Sequence, residues 1–336
     1  MDKVVNVAVV GATGAVGRTI LKVLEERNFP VGELRLFASE KSAGTNLSFC
    51  GKDYIVNKLD SESFNGMEMA FFATSAAVSG EWVPVAVEAG ATVIDNSPRF
   101  RRDEDVPLVV PEVNAADVFG HNGIIANPNC STIQMVVALN RLHKSFKIKR
   151  VIVTTFQAVS GAGQKGCEEL MSQVNDALAD KNIEGRVFPE GIAFNVVPRI
   201  GDFLKEGCTE EEDKMAFEAV KILHDESIGI SATCVRVPVV TGHSMALNVE
   251  TLYPSPPVRV LQVLRKADGV VAYEDPEFPV PTGLKESDKV FVGRIREDMT
   301  AAHAFNMWVV ADNLRKGAAT NAVQIGELLL NPPEEA

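Results

Sequence analysis

Short apolar runs alternate with helical periodicity through the first 126 residues of the chain. Residues 4–10 are rich in valine, which is typical of a buried strand, and apolar side chains then recur at helical spacing between Ile20 and Leu24. The same pattern predicts a helix at 82–89 and further strands at 34–38, 69–73, 92–95 and 124–126. Because strands that alternate with helices form parallel sheets, we expect a Rossmann-type, doubly wound α/β domain here.

The pattern changes after residue 128. Helices are predicted at 131–142 and 164–178, and strands at 151–156, 232–239, 244–252, 290–296 and 305–311. Little helix separates 232–239 from 244–252, which favours an α+β domain with a mixed or antiparallel sheet covered on one face. We therefore expect one domain at 1–128, completed by the C-terminal helix at 314–336, and a second at 129–313.

Composition and charge restrict the classes of partner. The chain has 336 residues, of which 46% are hydrophobic and 23% are charged, the balance of a globular protein. A formal net charge of −12 disfavours nucleic acid and anionic membranes, whose phosphates would be repelled. No apolar stretch approaches the roughly 20 residues of a membrane helix, and a strand begins too early to leave room for a leader. The expected location is the cytoplasm.

The number and spacing of the cysteines also favour a reducing compartment such as the cytoplasm. They are five in number and show no C-x-x-C spacing, so a disulfide framework or a structural zinc site is not expected, and a reducing compartment fits.

A glycine-rich turn follows the first predicted strand. Gly11, Gly14 and Gly17 there give the pattern G-x-x-G-x-x-G before a helix, an arrangement that presents backbone N–H groups to a pyrophosphate. The alternative is a purely structural turn, but the flanking strand and helix favour a dinucleotide. NAD sites place an acid at the end of the second strand, whereas this strand leads into Ser39, Glu40, Lys41 and Ser42. Hydroxyls and a lysine suit the 2′-phosphate of NADP, which favours NADP over NAD. Glu40 complicates this interpretation because it is an acid of the kind that NAD sites use, and a solvated loop would have a similar composition.

Cys130 is the cysteine best placed for chemistry. It lies where a strand ends and an apolar helix begins, and either Asn129 or Ser131 can cap that helix. The field of a helix N-terminus lowers the pKa of a thiol and so increases its reactive thiolate fraction. The alternative is a buried structural cysteine, and this interpretation suits Cys234 within its β-branched run.

A second group of candidate residues lies between 234 and 244. Arg236 alternates with valines, so it points either to solvent or into a pocket. His243 follows a Thr-Gly turn, where an imidazole can point inward. A thiol nucleophile needs a group to manage protons, and His243 is the best candidate. No second His or Cys lies at ligand spacing beside it, so no metal is expected.

Six segments, in their order along the chain, resemble the aspartate-semialdehyde dehydrogenase family, and the resemblance covers nearly the whole chain. The matching segments are the turn at 11–17, Asp-Asn-Ser at 95–97, Asn-Pro-Asn-Cys-Ser-Thr at 127–132, Phe-Gln-Ala-Val-Ser-Gly-Ala-Gly at 156–163, the run from Arg-Val-Pro at 236–238 to Gly-His at 242–243, and Asp-Asn-Leu-Arg-Lys-Gly-Ala-Ala at 312–319.

The resemblance implies a role for individual residues. Cys130 matches the nucleophile that forms an acyl-thioester, His243 the general acid/base and Gln157 the residue that orients the substrate. Arg236 matches the substrate-carboxylate clamp and Asn129 a phosphate or oxyanion contact. Expected cofactor contacts, including those from the turn and from the second strand, are Gly11, Thr13, Gly14, Ala15, Val16, Ser39, Lys41, Ser42, Ser160, Gly161 and Asn313.

Two assignments compete with alternatives. Arg101 aligns with the family's phosphate arginine, but Pro98 alters that loop and makes Arg99 and Arg102 rivals. Glu211 and Lys214 match substrate and phosphate residues at a helix start. There, however, Thr209 with Glu212 also forms a capping box, and acids are favourable in any first helical turn.

The implied reaction is the reversible, NADP-dependent reductive dephosphorylation of L-aspartyl-4-phosphate to L-aspartate-4-semialdehyde. It belongs to the biosynthesis of lysine, threonine and methionine, and the resemblance also implies a homodimer. Two rivals are an N-acetyl-glutamyl-phosphate reductase and a non-catalytic paralogue. The segments around Gln157 and Arg236 argue against the first, and the presence of both Cys130 and His243 argues against the second.

Overall fold

The protein is described here by a computed structural model that covers residues 4–284 and 286–332. The chain divides into two compact units. The first comprises Met1–Pro128 with Ala318–Ala336, and the second comprises Asn129–Gly317.

The first unit is built on a mostly parallel sheet with the strand order β3-β4-β2-β1-β5-β6-β7, in which β3 and β4 pair antiparallel. This confirms the predicted doubly wound α/β fold. Its elements are β1 (Val5–Val10), α1 (Ala15–Glu26), β2 (Val31–Phe37), β3 (Asn46–Phe49), β4 (Lys52–Asn57), β5 (Met69–Phe72), α2 (Ala76–Glu88), β6 (Thr92–Asp95), α3 (Pro111–Asn114) and β7 (Ile124–Ala126).

The second unit is built on a mixed sheet with the order β11-β12-β13-β10-β8-β9. The pairs β8–β9 and β11–β12 are parallel and the others antiparallel, which confirms the predicted α+β class. Its elements are α4 (Cys130–Phe146), β8 (Ile148–Gln157), α5 (Gln164–Leu178), α6 (Glu210–Leu223), β9 (Gly229–Arg236), β10 (His243–Thr251), α7 (Pro257–Leu264), β11 (Val270–Ala272), β12 (Val290–Glu297) and β13 (Ala304–Ala311).

Strand β9 ends earlier than the sequence predicts. The expected strand ran from 232 to 239, but the ladder stops at Arg236. Pro238 has no N–H to donate, and the N–H of Val239 turns back to the carbonyl of Val237 at 2.8 Å. The chain therefore leaves the sheet immediately after Arg236.

The C-terminal helix begins later than expected. Arg315–Ala319 forms a π-helical turn, and the α-helix proper, α8, spans Thr320–Leu330. Its apolar face, with Ala322, Val323 and Ile325, lies in the same core cluster as β1 and β5 of the first unit. The expected range of 314–336 therefore begins too early for this helix, and its last residues, 333–336, lie outside the described part of the chain.

Candidate active site

Cys130 is the first residue of α4, and Asn129 is the residue that caps this helix. The side-chain oxygen of Asn129 accepts hydrogen bonds from the N–H groups of Ser131 at 2.9 Å and Thr132 at 3.2 Å. Of the two capping residues that the sequence allowed, the structure uses Asn129. The cap fixes Cys130 in the first turn, where the helix dipole favours a negative charge.

His243 lies against Cys130. Its Nε2 is 3.3 Å from the Cys130 Sγ, and its Nδ1 accepts a hydrogen bond from the N–H of Ala158 at 3.0 Å. Because Nδ1 is an acceptor, the neutral ring carries its proton on Nε2, facing the sulfur. Burial, and then the charge of Arg236, lowers the pKa of His243 well below its usual value of 6.5. The neutral ring is thus suited to donate a hydrogen bond to a thiolate or an oxyanion.

A buried carboxylate gathers two side-chain amides beside this pair. The Oε1 atom of Glu211, in the first turn of α6, accepts from Asn129 Nδ2 at 2.9 Å and from Gln157 Nε2 at 3.2 Å. Gln157 is the last residue of β8 and is buried. Lys214 Nζ lies 3.9 Å from the other oxygen of Glu211. The structure therefore brings together Asn129, Gln157, Glu211 and Lys214.

The capping box at this helix start is also present. Thr209 Oγ1 accepts from the Glu212 N–H at 3.4 Å, and the Glu212 carboxylate accepts from the Thr209 N–H at 2.7 Å. The box thus uses Glu212 and leaves Glu211 available for the amides of Asn129 and Gln157.

Arg236 points into the protein and not to solvent. It is the last residue of β9 and is 6% exposed, and its Nη1 donates to the carbonyl of Ala158 at 2.7 Å. A Cβ added at Gly161 would lie 2.8 Å from Nη1, so this glycine leaves room for the guanidinium. The guanidinium carbon lies over the Phe188 ring, 5.9 Å from the ring centre. A buried, oriented guanidinium of this kind can bind a carboxylate through two parallel hydrogen bonds.

Asn313 ties together the segments that carry His243 and Gln157. Its side chain exchanges hydrogen bonds with Ser160 Oγ at 3.0 and 3.1 Å, and its Oδ1 also accepts from the N–H of Gly242 at 2.9 Å. Gly161 follows Ser160 directly. The residues predicted from this part of the second unit therefore lie close to the Cys130–His243 pair.

The glycine turn of the first unit brings backbone segments closer together than a side chain would allow. A Cβ at Gly11, whose φ is +82°, would lie 2.2 Å from the carbonyl oxygen of Ala73, and one at Gly17 would lie 2.2 Å from that of Gly11. Gly14 is the N-cap of α1, and the first turn of α1, fully described, carries no acidic side chain. The N–H groups at Ala15 and Val16 thus begin a helix whose positive end suits an anion.

The loop after β2 is exposed and partly basic. Ser39 caps the single 3-10 turn Glu40–Ser42, and the side chains of Ser39 and Lys41 are exposed. Glu40 is ion-paired with Lys58 at 3.4 Å. The acid that complicated the sequence interpretation is therefore partly neutralised by a nearby lysine.

The rival arginines after β6 have different environments. Arg101 is buried and its Nη2 donates to the carbonyl of Asn96 at 2.7 Å. Arg99 is about half exposed, lies over the Phe100 ring and is 3.9 Å from the Asp103 carboxylate. The more fixed guanidinium is that of Arg101.

Comparison with known proteins places the chain in a family. The family model for the semialdehyde dehydrogenase NAD binding domain matches residues 6–121, and that for the semialdehyde dehydrogenase dimerisation domain matches residues 139–316. An aspartate-semialdehyde dehydrogenase of Aquifex aeolicus is 54% identical over 332 residues, which cover 97% of this chain and 98% of the relative. The chain belongs to the aspartate-semialdehyde dehydrogenase family. The resemblance predicted from the sequence is thereby confirmed.

Solved structures of the family have the same fold. Aspartate semialdehyde dehydrogenase II of Vibrio cholerae, complexed with ASA, matches with a TM-score of 0.97 at 46% identity and covers 98% of this chain and 99% of that one. The Candida albicans enzyme with NADP matches with a TM-score of 0.77 at 29% identity, covering 97% and 98%. Among the residues described here, no helix is both long and apolar enough to cross a membrane.

Sequence reasoning missed Glu218. Its carboxylate is buried and accepts a hydrogen bond from the backbone N–H of Asn129 at 2.7 Å, so it fixes the residue before Cys130. A signal was present, because Glu218 follows Glu211 by seven residues and shares a helix face with Met215 and Ile222. An acid in such an apolar stripe indicates a specific polar partner.

The buried histidines predict a loss of stability in mild acid. The pKa of His243 lies well below 6.5 in the folded protein, and burial also lowers that of His143. The unfolded chain therefore binds protons below about pH 6.5 that the folded chain does not, and stability falls as the pH decreases from there. The apparent urea midpoint should decrease between pH 7.5 and 5.5, and less steeply in His243→Asn. Equal midpoints at the two pH values would contradict this.

Proposed function

We propose that this protein is a phosphorylating, NADP-dependent aspartate-semialdehyde dehydrogenase that works through a thioester on Cys130. The observation that carries the proposal is the Cys130–His243 contact of 3.3 Å at a capped helix start, in a chain of this family. In the biosynthetic direction the product would be the semialdehyde that leads to lysine, threonine and methionine. A homodimer is part of the proposal, supported by the dimerisation-domain match over residues 139–316.

The residues of the second unit account for the chemistry on the aldehyde. The thiolate of Cys130 attacks the aldehyde carbon, a carbon–sulfur bond forms and the carbonyl oxygen becomes an oxyanion. The Nε2–H of His243 faces Sγ and can donate to that oxyanion, which provides electrostatic stabilisation as charge develops. Arg236 binds the substrate carboxylate, and Gln157, held by Glu211, orients the substrate beside the sulfur.

The second half of the reaction releases the acyl group. When the oxyanion collapses to the thioester, hydride leaves the former aldehyde carbon. Phosphate then attacks the thioester carbon, the carbon–sulfur bond breaks and the Cys130 thiolate departs. The proposed phosphate contacts are Arg101, in the loop after β6, and Lys214, near the start of α6. A covalent nucleophile divides one difficult substitution into two easier steps.

The glycine turn and the loop after β2 fit the proposed cofactor. A pyrophosphate suits the turn that only glycine can form at Gly11 and Gly17, and a 2′-phosphate suits Ser39, Lys41 and Ser42. NADP, when bound, supplies the hydride acceptor of the oxidative direction. The residues Thr13, Ser160, Gly161 and Asn313 are proposed as further contacts.

The function is tested by following the phosphate-dependent reduction of NADP+ through the absorbance of the NADPH that forms. Aspartate semialdehyde is the test substrate, and N-acetyl-glutamate semialdehyde is the control that represents the rival reductase. Turnover that requires phosphate and prefers aspartate semialdehyde is expected. Preference for the acetylated substrate would indicate that the protein is the rival reductase. The absence of turnover with either substrate would refute the proposal.

Cofactor preference gives a separate prediction. Lys41→Ala should raise the KM for NADP+ by roughly tenfold or more, because a charge-assisted contact with a phosphate contributes about 1.5–3 kcal/mol. The KM for NAD+, which lacks the 2′-phosphate, should change little. Lys52→Ala, an exposed lysine at the start of β4, is the matched control. Equal kcat/KM for the two cofactors in the wild type would show that the loop does not select NADP.

The two arginines are expected to serve different anions. Arg236→Leu should raise the KM for the semialdehyde by roughly 10- to 150-fold and leave the KM for phosphate nearly unchanged, since one bidentate contact is lost. Arg101→Leu should do the reverse, with Arg99→Leu as its control. Steady-state kinetics in the phosphorylating direction, with each substrate varied separately, measures both. If Arg99→Leu, and not Arg101→Leu, raises the KM for phosphate, Pro98 has shifted the loop and the assignment of Arg101 is wrong.

A further inference from the structure

A buried carboxylate on α5 binds consecutive backbone N–H groups of a loop. Glu169 is 8% exposed, and its two oxygens accept hydrogen bonds from the N–H groups of Arg186, at 3.0 Å, of Val187, and of Phe188, at 3.1 Å. Burial alone raises the pKa of this carboxyl, but the backbone donors outweigh it and hold the pKa below its usual value. Glu169 is thus a charged anchor for residues 186–188.

The other end of the same loop is also held by α5. One turn after Glu169, the side-chain oxygen Oε1 of Gln173 accepts hydrogen bonds from the N–H groups of Ile192 at 2.7 Å and Ala193 at 3.1 Å. Its amide nitrogen donates to the carbonyl of Glu184 and to Glu169 Oε1, both at 3.0 Å. The loop from 184 to 193, which is described throughout, contains no helix or strand, and these side-chain hydrogen bonds hold both of its ends against α5.

This loop carries the aromatic ring that lies against Arg236. Phe188 packs with Val159, Leu170 and Ile192 in a small apolar cluster, and its ring centre is 5.9 Å from the Arg236 guanidinium carbon. Beyond the loop, Val197 pairs with the backbone of Arg236 through two hydrogen bonds of 2.8 and 3.0 Å. The segment anchored on α5 therefore contacts both the side chain and the backbone of Arg236.

We infer that Glu169 is a positioning residue for the substrate carboxylate, acting through residues 186–188 and the Phe188 ring on the Arg236 guanidinium. The inference rests on the proposed function, in which Arg236 binds that carboxylate. A bidentate contact requires the guanidinium plane to match the carboxylate. Both the Phe188 ring and the Ala158 carbonyl lie against the guanidinium and restrict where it can move. A small misplacement at such a site is costly even when it originates far from the chemistry.

Glu169→Gln tests the inference because it keeps the shape of the side chain and replaces one acceptor oxygen by an NH2 group. The KM for aspartate semialdehyde should rise by roughly tenfold, with kcat and the KM for phosphate within about twofold of wild type. Glu168→Gln, an exposed neighbour on the same helix, should leave all three constants unchanged. A purely structural role would instead reduce the amount of active enzyme without changing the KM.

Phe188→Leu supplies a second variant that does not disturb the carboxylate. It should raise the KM for aspartate semialdehyde by a similar factor. The KM of the double variant should not exceed that of the more affected single variant, because both substitutions act through the same contact with Arg236. An unchanged KM in folded Glu169→Gln or in Phe188→Leu, or multiplicative effects in the double variant, would overturn the inference. Failure of the proposed function is distinguishable, because wild type would then not oxidise the semialdehyde or Arg236→Leu would leave its KM unchanged.

Discussion

Replacement of Cys130 by serine is expected to lower the rate of phosphate-dependent oxidation of aspartate semialdehyde by at least about 10³-fold. Removing one member of a group of cooperating catalytic residues removes most of the rate acceleration that the whole group provides. The serine hydroxyl keeps the position at the start of α4 but is a weak nucleophile at neutral pH. The unfolding midpoint should stay near that of wild type, because the Asn129 cap does not involve the replaced sulfur. Activity above trace level in Cys130→Ser would refute the thioester mechanism.

Alkylation provides the accompanying control. At pH 7, iodoacetamide should label Cys130 first, and inactivation should follow that labelling. Burial, followed by the charge of Glu211, raises the pKa of Cys234 to about 12, and burial also raises that of Cys167. Both thiols should therefore react slowly, and Cys167→Ser should retain activity. Inactivation that follows the labelling of Cys167 would contradict this order.

The second large effect is expected from His243→Asn, which should lower kcat by roughly 10²–10⁴-fold. The variant loses the Nε2–H that faces Sγ and the oxyanion beside it. Chelators should leave wild-type activity intact, because Nδ1 and Nε2 are already engaged by the Ala158 N–H and by Cys130.

His303→Asn is the matched control for this substitution. His303 lies in the same unit, is exposed and has a φ of +54°, a conformation that asparagine tolerates. Its kcat should equal that of wild type. A kcat for His243→Asn within a few-fold of the control, or loss of activity on chelation that zinc restores, would contradict the role of His243.

The local signals that the sequence carried at β1, α1 and α4 were sufficient to predict these elements. A valine-rich strand, glycines at a turn and apolar residues at helical spacing all favour the same structure, so no tertiary contact overrides them. At α4 the cap had two candidates, and the competition between Asn129 and Ser131 was decided only by the structure.

The hairpin of β3 and β4 had no such signal. Its two-residue connection is Cys50-Gly51, with φ values of +48° and +73°, as a tight hairpin turn requires. Cysteine is not a residue that marks this turn, whereas asparagine or aspartate before glycine would have indicated it. The flanking strands have only four and six residues, and the alternation over so few positions was not recognised as a strand signal.

Long-range partners of the site could not be predicted from spacing. Glu211 combines an ordinary helix-start position with hydrogen bonds to Asn129 and Gln157, which are 82 and 54 residues away in sequence. The capping box that the sequence predicted at this helix start is also present, and it is formed by Thr209 with Glu212. Glu169 illustrates the same point, since an acid within α5 gives no sequence signal for the backbone that it binds 17 to 19 residues later.

The most direct measurement of the central claim is a single turnover without phosphate. Enzyme mixed with aspartate semialdehyde and NADP+ should release about one equivalent of NADPH per active site in a rapid phase, because the acyl group cannot leave Cys130 quickly. Acid quenching and peptide mass spectrometry should then find the aspartyl acyl adduct on the peptide that contains Cys130, and on no peptide of Cys130→Ser. No rapid phase, or an adduct on another residue, would contradict the account.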